Sequence, residues 1–328
     1  MSVTCVYCPP NLSAGFDGLN HRYARLDAMS DVTATPAPPR THLPAWLRAM
    51  RPKQWLKNVL VLAAPVAAGR LFEPHILVPT IWAFVAFCLV SASIYLINDV
   101  RDIEADRAHP LKRFRPIAAG ELSPRAAIAM SAVCAVAAFT LAWWATPMLL
   151  ATIAFYWLLQ VAYSMFWKHQ PILDLAVVSA GFLLRAVAGG VASGLGLSQW
   201  FLLVASFGSL FMVAGKRFSE LKTLGSEAGT RASLERYSVS YLGMVWMVSL
   251  AVVIVFYSLW AFGLPASHLW GVPWAAISIA PFTLALLRYA WAIDAGRAGA
   301  PEDIALSDHV LQVLVVLWVV PVAISVFA

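Results

Sequence analysis

The sequence predicts an all-α integral membrane protein with about nine transmembrane helices. Of its 328 residues, 61% are hydrophobic and only 12% are charged, whereas soluble domains carry about 25% charged residues. The apolar residues fall in runs of about 20, the length that a helix needs to cross roughly 30 Å of hydrocarbon. Each connection between runs is shorter than the roughly 50 residues of a small soluble domain, so the chain is expected to form one membrane domain.

Nine apolar segments follow a polar N-terminal tail. Residues 1–44 are polar and become rich in proline, a composition that predicts disorder, and residues 45–328 form the predicted catalytic membrane domain. The first segment is the least regular, because Lys53 and Lys57 lie at its beginning. The predicted spans are residues 54–70, 76–98, 125–145, 147–166, 171–191, 199–215, 241–262, 273–291 and 308–327.

Lysines and arginines are concentrated in alternate connections. They precede the first span and occupy the even-numbered connections, whereas the other connections contain Arg70 alone. Because positive loops stay in the cytoplasm, this pattern predicts a plasma-membrane protein with its N-terminus and even-numbered connections in the cytoplasm. The net charge of +6 is not gathered into a dense basic stripe, so we expect the lipid bilayer and not nucleic acid as a partner.

The connection after the second span carries the most informative motif, N-D-V-R-D-I-E-A-D, which begins at Asn98. Asn98, Asp102 and Asp106 are spaced i, i+4, i+8, so an exposed helix extension would set them on one face. Mg²⁺ is usually held by one or two carboxylates plus substrate phosphates, which makes these three residues candidate metal ligands. The alternative is a solvated helix end whose carboxylates pair with Arg101 and Arg107.

Basic residues follow this motif directly. His109-Pro110 stops the helix, and Lys112, Arg113 and Arg115 come next. Carboxylates beside ammonium and guanidinium groups suit a Mg²⁺-bound pyrophosphate with additional phosphate groups. This favours a phosphorylated substrate over the solvated helix end. The candidate catalytic residues are Asp102, Asp106, Lys112 and Arg113.

Ionisable residues also mark the fourth connection and the fifth span. Lys168 alone is typical of a topology charge, but a carboxylate within a span, such as Asp174, is rare and favours a polar cavity. Arg185 lies about 16 Å further along an ideal helix. It either lines a cavity or pairs with a buried partner.

The sixth span ends at Lys216, Arg217 and Glu220, which are either topology charges or substrate ligands. The second, fourth and sixth spans end on the same predicted face, so their polar residues converge on one cytoplasmic cavity. Tyr237 and Tyr241, before the seventh span, are expected to lie at the surface. The candidate substrate-binding residues are Lys53, Lys57, Arg115, Tyr163, Lys168, Arg185, Lys216, Arg217 and Glu220.

Nine helices with N-D-x-x-D-x-x-x-D after the second resemble the UbiA-type intramembrane prenyltransferase superfamily. Within it, the chain most resembles the branch of phosphoribosyltransferases that act on decaprenyl phosphate. The matching stretches are RPKQWLKNVLVLAAP (51–65), YLINDVRDIEADRAHPLKRFRPIAAG (95–120), LLRAVAGGVA (183–192), FGSLFMVAGKRFSEL (207–221) and PEDIAL (301–306). They cover the chain from about residue 45 to its end, and the second stretch is highly specific.

The resemblance implies a UbiA-type helical bundle around a cytoplasm-facing cavity, with Mg²⁺ as cofactor. The superfamily typically has a second Asp-rich motif after the sixth helix, where this chain has Lys216, Arg217 and Glu220. That departure suits a donor with a further phosphate and an acceptor that is itself a phosphate. The implied reaction transfers 5-phosphoribose from phosphoribosyl pyrophosphate to a polyprenyl phosphate, for arabinan in actinobacterial cell walls.

Two alternative functions remain open at this point. One is a prenyltransferase that uses a prenyl pyrophosphate donor. The other is a transporter of an anionic metabolite or lipid, although a secondary transporter would place its polar site near the bilayer midplane. The sequence also leaves open the prenyl chain length and whether the protein is a homo-oligomer.

Overall fold

The computed structural model describes residues 43–224, 236–265, 271–299 and 301–327. Within these ranges every regular element is helical and no strand occurs, which confirms the predicted all-α class. Up to residue 42, the predicted N-terminal tail lies outside the described residues, and its disorder stays a prediction.

The chain contains both short helices of 4–7 residues and long helices of 16–28 residues. A 3₁₀ segment, Leu56–Leu62, joins the second and third helices, and a π-helical turn, Tyr163–Trp167, extends the seventh. The α-helices of the described ranges are α1 (Ala45–Ala49), α2 (Pro52–Trp55), α3 (Ala63–Ala67), α4 (Pro74–Arg101), α5 (Ile103–Ala108), α6 (Pro124–Ala145), α7 (Pro147–Ala162), α8 (Leu173–Ala192), α9 (Gln199–Leu224), α10 (Val239–Gly263), α11 (Trp274–Ile277), α12 (Ile279–Asp294), α13 (Pro301–Ser307) and α14 (His309–Phe327).

Local sequence signals explain where several of these helices begin. The hydroxyl oxygens of Ser123 and Thr146 accept hydrogen bonds from the amides of Ala126 and Leu149, and each capping residue is followed by proline. A capping hydroxyl satisfies a free helix N–H, and proline fits the first helical position because it has no N–H to satisfy. Thr146 therefore ends α6 and starts α7 in a tight hairpin.

Eight helical stretches in the described ranges are long and apolar enough to cross a membrane. They correspond to the second to ninth predicted spans. The first predicted span, 54–70, is not among them because it is divided into α2, the 3₁₀ segment and α3. Pro65 explains part of this break, since it has no N–H to bond the carbonyl of Val61 four residues earlier.

This broken segment nevertheless runs the full length of α4. Arg51, at its start, contacts Asp99 near the end of α4. At its other end, a Cβ placed on Gly69 would lie 2.4 Å from the carbonyl oxygen of Val326, near the end of α14. The described ranges thus contain eight helical stretches of membrane-spanning length, against the nine that the sequence predicts.

Helix α8 is the central element, because it contributes to two separate apolar cores. Ala188, in its second half, packs with residues of α4, α6 and α7, such as Phe87 and Ile153. Leu175, near its start, packs with residues of α9, α10 and α12, such as Phe211 and Tyr289. Helix α8 thus joins the two halves of the bundle, and Asp174 near its start belongs to one of the two sets of charges described next.

Candidate active site

The aspartate motif lies at the end of α4 and on α5. The helix is interrupted at Asp102, but helical hydrogen bonds continue through it, from the amide of Asp102 to Asn98 O at 2.9 Å and from the amide of Asp106 to Asp102 O at 2.8 Å. The i, i+4 spacing is therefore preserved. The expectation of an exposed helix extension holds for Asp102, whose side chain is 38% exposed, but is wrong for Asp106, which is 3% exposed.

Asp106 is buried because it belongs to an ion-pair cluster. Arg115 Nη1 lies 2.6 Å from Asp106 Oδ2 and 3.2 Å from Asp99 Oδ1. Arg51 pairs with the same oxygen of Asp99, Oδ1. Two guanidinium groups thus neutralise two carboxylates that are removed from water, which is the condition under which buried charges are tolerated. We name these four residues the aspartate cluster; Arg51 and Asp99 were not among the predicted site residues.

Asp102 has a separate partner, Lys168, which directly follows the π-helical turn after α7. Lys168 Nζ donates to Asp102 Oδ1 at 2.9 Å. On the turn itself, the Ser164 hydroxyl donates to Asn98 Oδ1 and the Ser164 carbonyl accepts from Arg101. Such π-helical turns occur frequently at functional sites. The structure thus brings Lys168 to the aspartate motif, as the sequence predicts.

Among the described residues, no group of three or more His, Cys, Asp or Glu side chains is placed to hold a metal ion. The amide oxygen of Asn98 and the carboxylate of Asp102 are oxygen donors one helical turn apart. They fit Mg²⁺, which is commonly held by one or two carboxylates and completed by phosphate oxygens and water. The assignment of Asp106 as a third ligand stays a prediction, since its carboxylate pairs with Arg115.

The basic residues after α5 form a short 3₁₀ turn, Lys112–Phe114. His109 Nδ1 accepts hydrogen bonds from the amides of Leu111 and Lys112 at 3.1 and 3.3 Å. Burial lowers the pKa of the His109 imidazole, and the neighbouring charges of Lys112 and Arg115 lower it further. The neutral ring therefore fixes the turn that carries Lys112 and Arg113.

A second set of charges lies between the start of α8 and the end of α9. Arg217 Nη2 is 3.4 Å from Asp174 Oδ2, and Arg217 Nη1 is 3.4 Å from Glu220 Oε2. Lys216 Nζ is 3.8 Å from Glu220 Oε1. Signs alternate along this row, and the exposed side-chain fraction rises from 0% at Asp174 through 4% and 20% to 39% at Lys216. We name it the charge row.

Tyr237 anchors the buried end of the charge row, so the expectation that it lies at the surface is wrong. Its hydroxyl donates to Asp174 Oδ1 at 2.6 Å and accepts from the amide of Ile172 at 2.5 Å. Burial raises the pKa of the Tyr237 phenol, and the hydrogen bond to Asp174 raises it further. The phenol therefore stays protonated and remains a donor to the carboxylate.

Tyr163 links the two sets of charges. It opens the π-helical turn that carries Ser164 and is followed by Lys168, and its side chain lies beside Arg217 and Asp174. Two further positions stand out, because Arg51 and Ile172 are the non-glycine residues with positive φ in the described ranges, at 56° and 67°. Such strained residues cluster at functional sites, and each of these contacts one set of charges.

Three other predicted substrate ligands lie on α2, on the 3₁₀ segment and on α8. Lys53 and Lys57 are exposed on α2 and on the 3₁₀ segment. Arg185 is 5% exposed and donates to Asn58 Oδ1 at 2.7 Å, the Tyr156 hydroxyl at 2.7 Å and Gly181 O at 2.6 Å. Its donors thus face neutral oxygens inside the bundle, which favours the buried-partner interpretation.

A bundle of membrane-spanning helices that gathers carboxylates and cations at one end defines a class of membrane protein suited to phosphorylated substrates. The chain belongs to the UbiA prenyltransferase family, which matches residues 59–323. This confirms the resemblance that the sequence motifs indicate.

Relatives and solved structures are consistent with that membership. The chain is 49% identical to the decaprenyl-phosphate phosphoribosyltransferase of Corynebacterium glutamicum, over 88% of this chain and 89% of that one. Its identity to the enzyme of the same name from Mycobacterium tuberculosis is 47%, over 91% and 99%. The fold is similar to that of a UbiA homolog from Archaeoglobus fulgidus bound to DMAPP and Mg²⁺, with a TM-score of 0.63 and 18% identity, over 86% and 99%.

Proposed function

We propose that this protein transfers 5-phosphoribose from phosphoribosyl pyrophosphate to decaprenyl phosphate or a similar polyprenyl phosphate, releasing pyrophosphate. The observation that carries the proposal is the 47–49% identity to decaprenyl-phosphate phosphoribosyltransferases over about nine-tenths of the chain. The charge row supports it independently, because cations at the end of α9 suit substrates with more than one phosphorylated group.

In the proposed reaction, the bond between the anomeric carbon and the pyrophosphate oxygen breaks while an oxygen of the lipid phosphate bonds to that carbon. Mg²⁺ held through Asn98 and Asp102 would neutralise charge on the departing pyrophosphate. Lys112 and Arg113 provide further cations for it beside the motif. Lys216 and Arg217 serve a phosphate that lies outside the metal site.

The ion pairs at this end of the bundle give the arrangement its rigidity. Arg115 holds Asp106 and Asp99 together, so the end of α4 and the basic turn keep one relative position. Lys168 ties the same helix end to the π-helical turn through Asp102. Fixed charges stabilise a transition state more effectively than mobile ones, because little reorganisation is needed during the reaction.

The test is turnover by the purified protein in detergent with radiolabelled phosphoribosyl pyrophosphate. We expect label to appear in a lipid product, and pyrophosphate to be released, only when polyprenyl phosphate and Mg²⁺ are both present. Pyrophosphate release from a prenyl pyrophosphate, with no transfer of ribose, would identify a prenyltransferase instead. Substrate uptake into vesicles without release would identify a transporter.

We further propose that the site faces the cytoplasm, on the basis of the Lys/Arg distribution. A cysteine-free variant with cysteine placed at Ser123 should be shielded from an impermeant thiol reagent in intact cells. Cysteine at Ser267, which lies outside the described residues, should react. The reverse labelling pattern would place the site on the outer face.

A further inference from the structure

The buried end of the charge row is held in an unusual way. Asp174 is fully buried inside the start of α8, and Arg217 is 4% exposed. Arg217 Nε and Asp174 Oδ2 are both buried without a hydrogen-bond partner, and the two side chains approach only to 3.4 Å. A buried charge that is incompletely bonded costs several kcal/mol unless another interaction compensates.

Tyr237 supplies the well-formed bonds of this region. Its hydroxyl bonds Asp174 at 2.6 Å and, through the amide of Ile172, fixes the residue that precedes α8. Ile172 has φ 67°, a conformation that a β-branched residue adopts only under constraint. Tyr237 thus connects the entry to α10 with the entry to α8, and among the described residues the polar side chain that it bonds is the Asp174 carboxylate.

The two sides of the Arg217 guanidinium therefore differ. Nη2 faces Asp174, which is locked by Tyr237, whereas Nη1 faces Glu220, which is partly exposed and lies near Lys216. An incoming phosphate competes with the partly exposed carboxylate of Glu220 and not with the buried one of Asp174. The arrangement presents one edge of the guanidinium towards the exposed end of the charge row.

We infer that Tyr237 and Asp174 are positioning residues, which hold the guanidinium of Arg217 from its buried side so that its other side meets a substrate phosphate. This inference deepens the proposed function and rests on it. It assigns a role in substrate binding to two residues that do not themselves touch substrate. Their effect passes through Arg217.

The test is the kinetics of four purified variants, with each phosphorylated substrate varied in turn. Tyr237→Phe removes one hydroxyl, and Asp174→Asn keeps the shape while removing the charge. Since one such hydrogen bond is worth a modest net free energy, we expect either change to raise the KM of one phosphorylated substrate by about three- to tenfold. The turnover of the folded enzyme should change much less. Tyr241→Phe, the same change on the ring stacked 5.9 Å away, should leave both constants unaltered.

A double-variant cycle shows whether the effect passes through Arg217. Tyr237→Phe should have no further effect once Arg217→Ala is present, because residues that act through one group are not additive. Independent, multiplying effects would overturn the inference, as would a loss of folded protein at unchanged KM. If Arg217→Ala alone left the kinetics unaltered, the substrate role of Arg217 in the proposed function would fall together with this inference. If only Tyr237→Phe and Asp174→Asn were without effect, the inference alone would fall.

Discussion

The two ends of α8 solve the problem of burying polar groups in different ways. At its start, Asp174 and Arg217 are opposite charges that face each other at 3.4 Å with unsatisfied atoms, next to a strained Ile172. In its second half, Arg185 bonds only neutral oxygens, with good geometry, and Gly189 lies in close contact with Val61. At the start of α8, polar atoms remain without hydrogen-bond partners and can bind a ligand. In the second half, the donors of Arg185 are used in hydrogen bonds within the bundle.

This contrast teaches that burial alone does not distinguish a site residue from a structural one. Arg185 and Arg217 are about equally buried, at 5% and 4% exposure. They differ in whether their donors are satisfied and in whether their partners lead towards solvent. Changes at the start of α8 should therefore alter kinetics, and changes in the second half of α8 should alter stability.

The largest effect is expected from Asp102→Asn. Loss of this carboxylate should lower kcat by roughly a thousandfold, since it removes a charge that stabilises the departing pyrophosphate through the metal. Thermal unfolding in detergent should change little, because the side chain is 38% exposed. Asp294→Asn, at an exposed carboxylate paired with Lys222, is the matched control. Wild-type activity of Asp102→Asn would make this residue a surface partner of Lys168 only.

Gly189→Ala tests the packed half of α8. A Cβ at this position would lie 1.8 Å from the carbonyl oxygen of Val61, a backbone atom that cannot move without displacing the 3₁₀ segment. We expect a loss of about 3 kcal/mol in stability, as for overpacked cores, measured as a lower midpoint of thermal unfolding. Gly196→Ala, where nothing lies within 4 Å, should have little effect. Equal midpoints for the two variants would show that the segment is not tightly seated on α8.

Arg185→Met keeps the volume of the side chain but removes its donors. Asn58 Oδ1 and Gly181 O then lose a partner, which should cost roughly 1–3 kcal/mol. Unfolding midpoints measure this loss, and Michaelis constants separate the two interpretations of Arg185. If Arg185 only forms hydrogen bonds within the bundle, the variant should have a lower unfolding midpoint and an unchanged KM. A raised KM for either substrate would show instead that Arg185 takes part in substrate binding.

A smaller effect on activity than that of Asp102→Asn is expected at Arg217. Arg217→Ala should lower kcat/KM by roughly ten- to a hundredfold, the loss expected when a phosphate loses a charge-assisted contact. Arg217→Lys should restore activity only in part, because an ammonium group cannot bond Asp174 and a phosphate with the same planar geometry. Steady-state kinetics of both variants would decide this. Full activity of Arg217→Ala in correctly inserted protein would leave the residue as a topology charge.

Much of the fold is predictable from length and hydropathy alone. The predicted spans 125–145 and 147–166 agree with α6 and with α7 plus its π-helical turn to within one residue. The first span was predicted as one helix but is broken. Hydropathy measures only how apolar a segment is, so it does not show that the carbonyl of Val61 lacks its helical hydrogen bond. Val61 contacts Gly189, which is far away in the sequence. The residues around Val61 therefore do not predict this contact, and Pro65 is the one local feature that indicates a break in the helix.

The candidate site was predictable in its charges but not in its pairings. The spacing of Asn98, Asp102 and Asp106 correctly indicated a helix, yet it could not show that Arg115 removes Asp106 from solvent. Tyr237 was missed because a tyrosine before a span is usually an interfacial anchor. The unusual carboxylate at Asp174 was the available signal, since a buried charge within a span requires partners.

The π-helical turn has a consequence for how the site tolerates changes in chain length. The amide of Lys168 bonds Tyr163 O, five residues earlier, at 2.9 Å, so this turn holds one residue more than an α-helical turn. Deleting a single residue such as Met165 would restore ordinary winding, and the following segment would rotate by about 100°. Lys168 would then face away from Asp102. The number of residues between Tyr163 and Lys168 therefore sets the direction of the Lys168 side chain. Substitutions in the turn keep this number, whereas deletions change it.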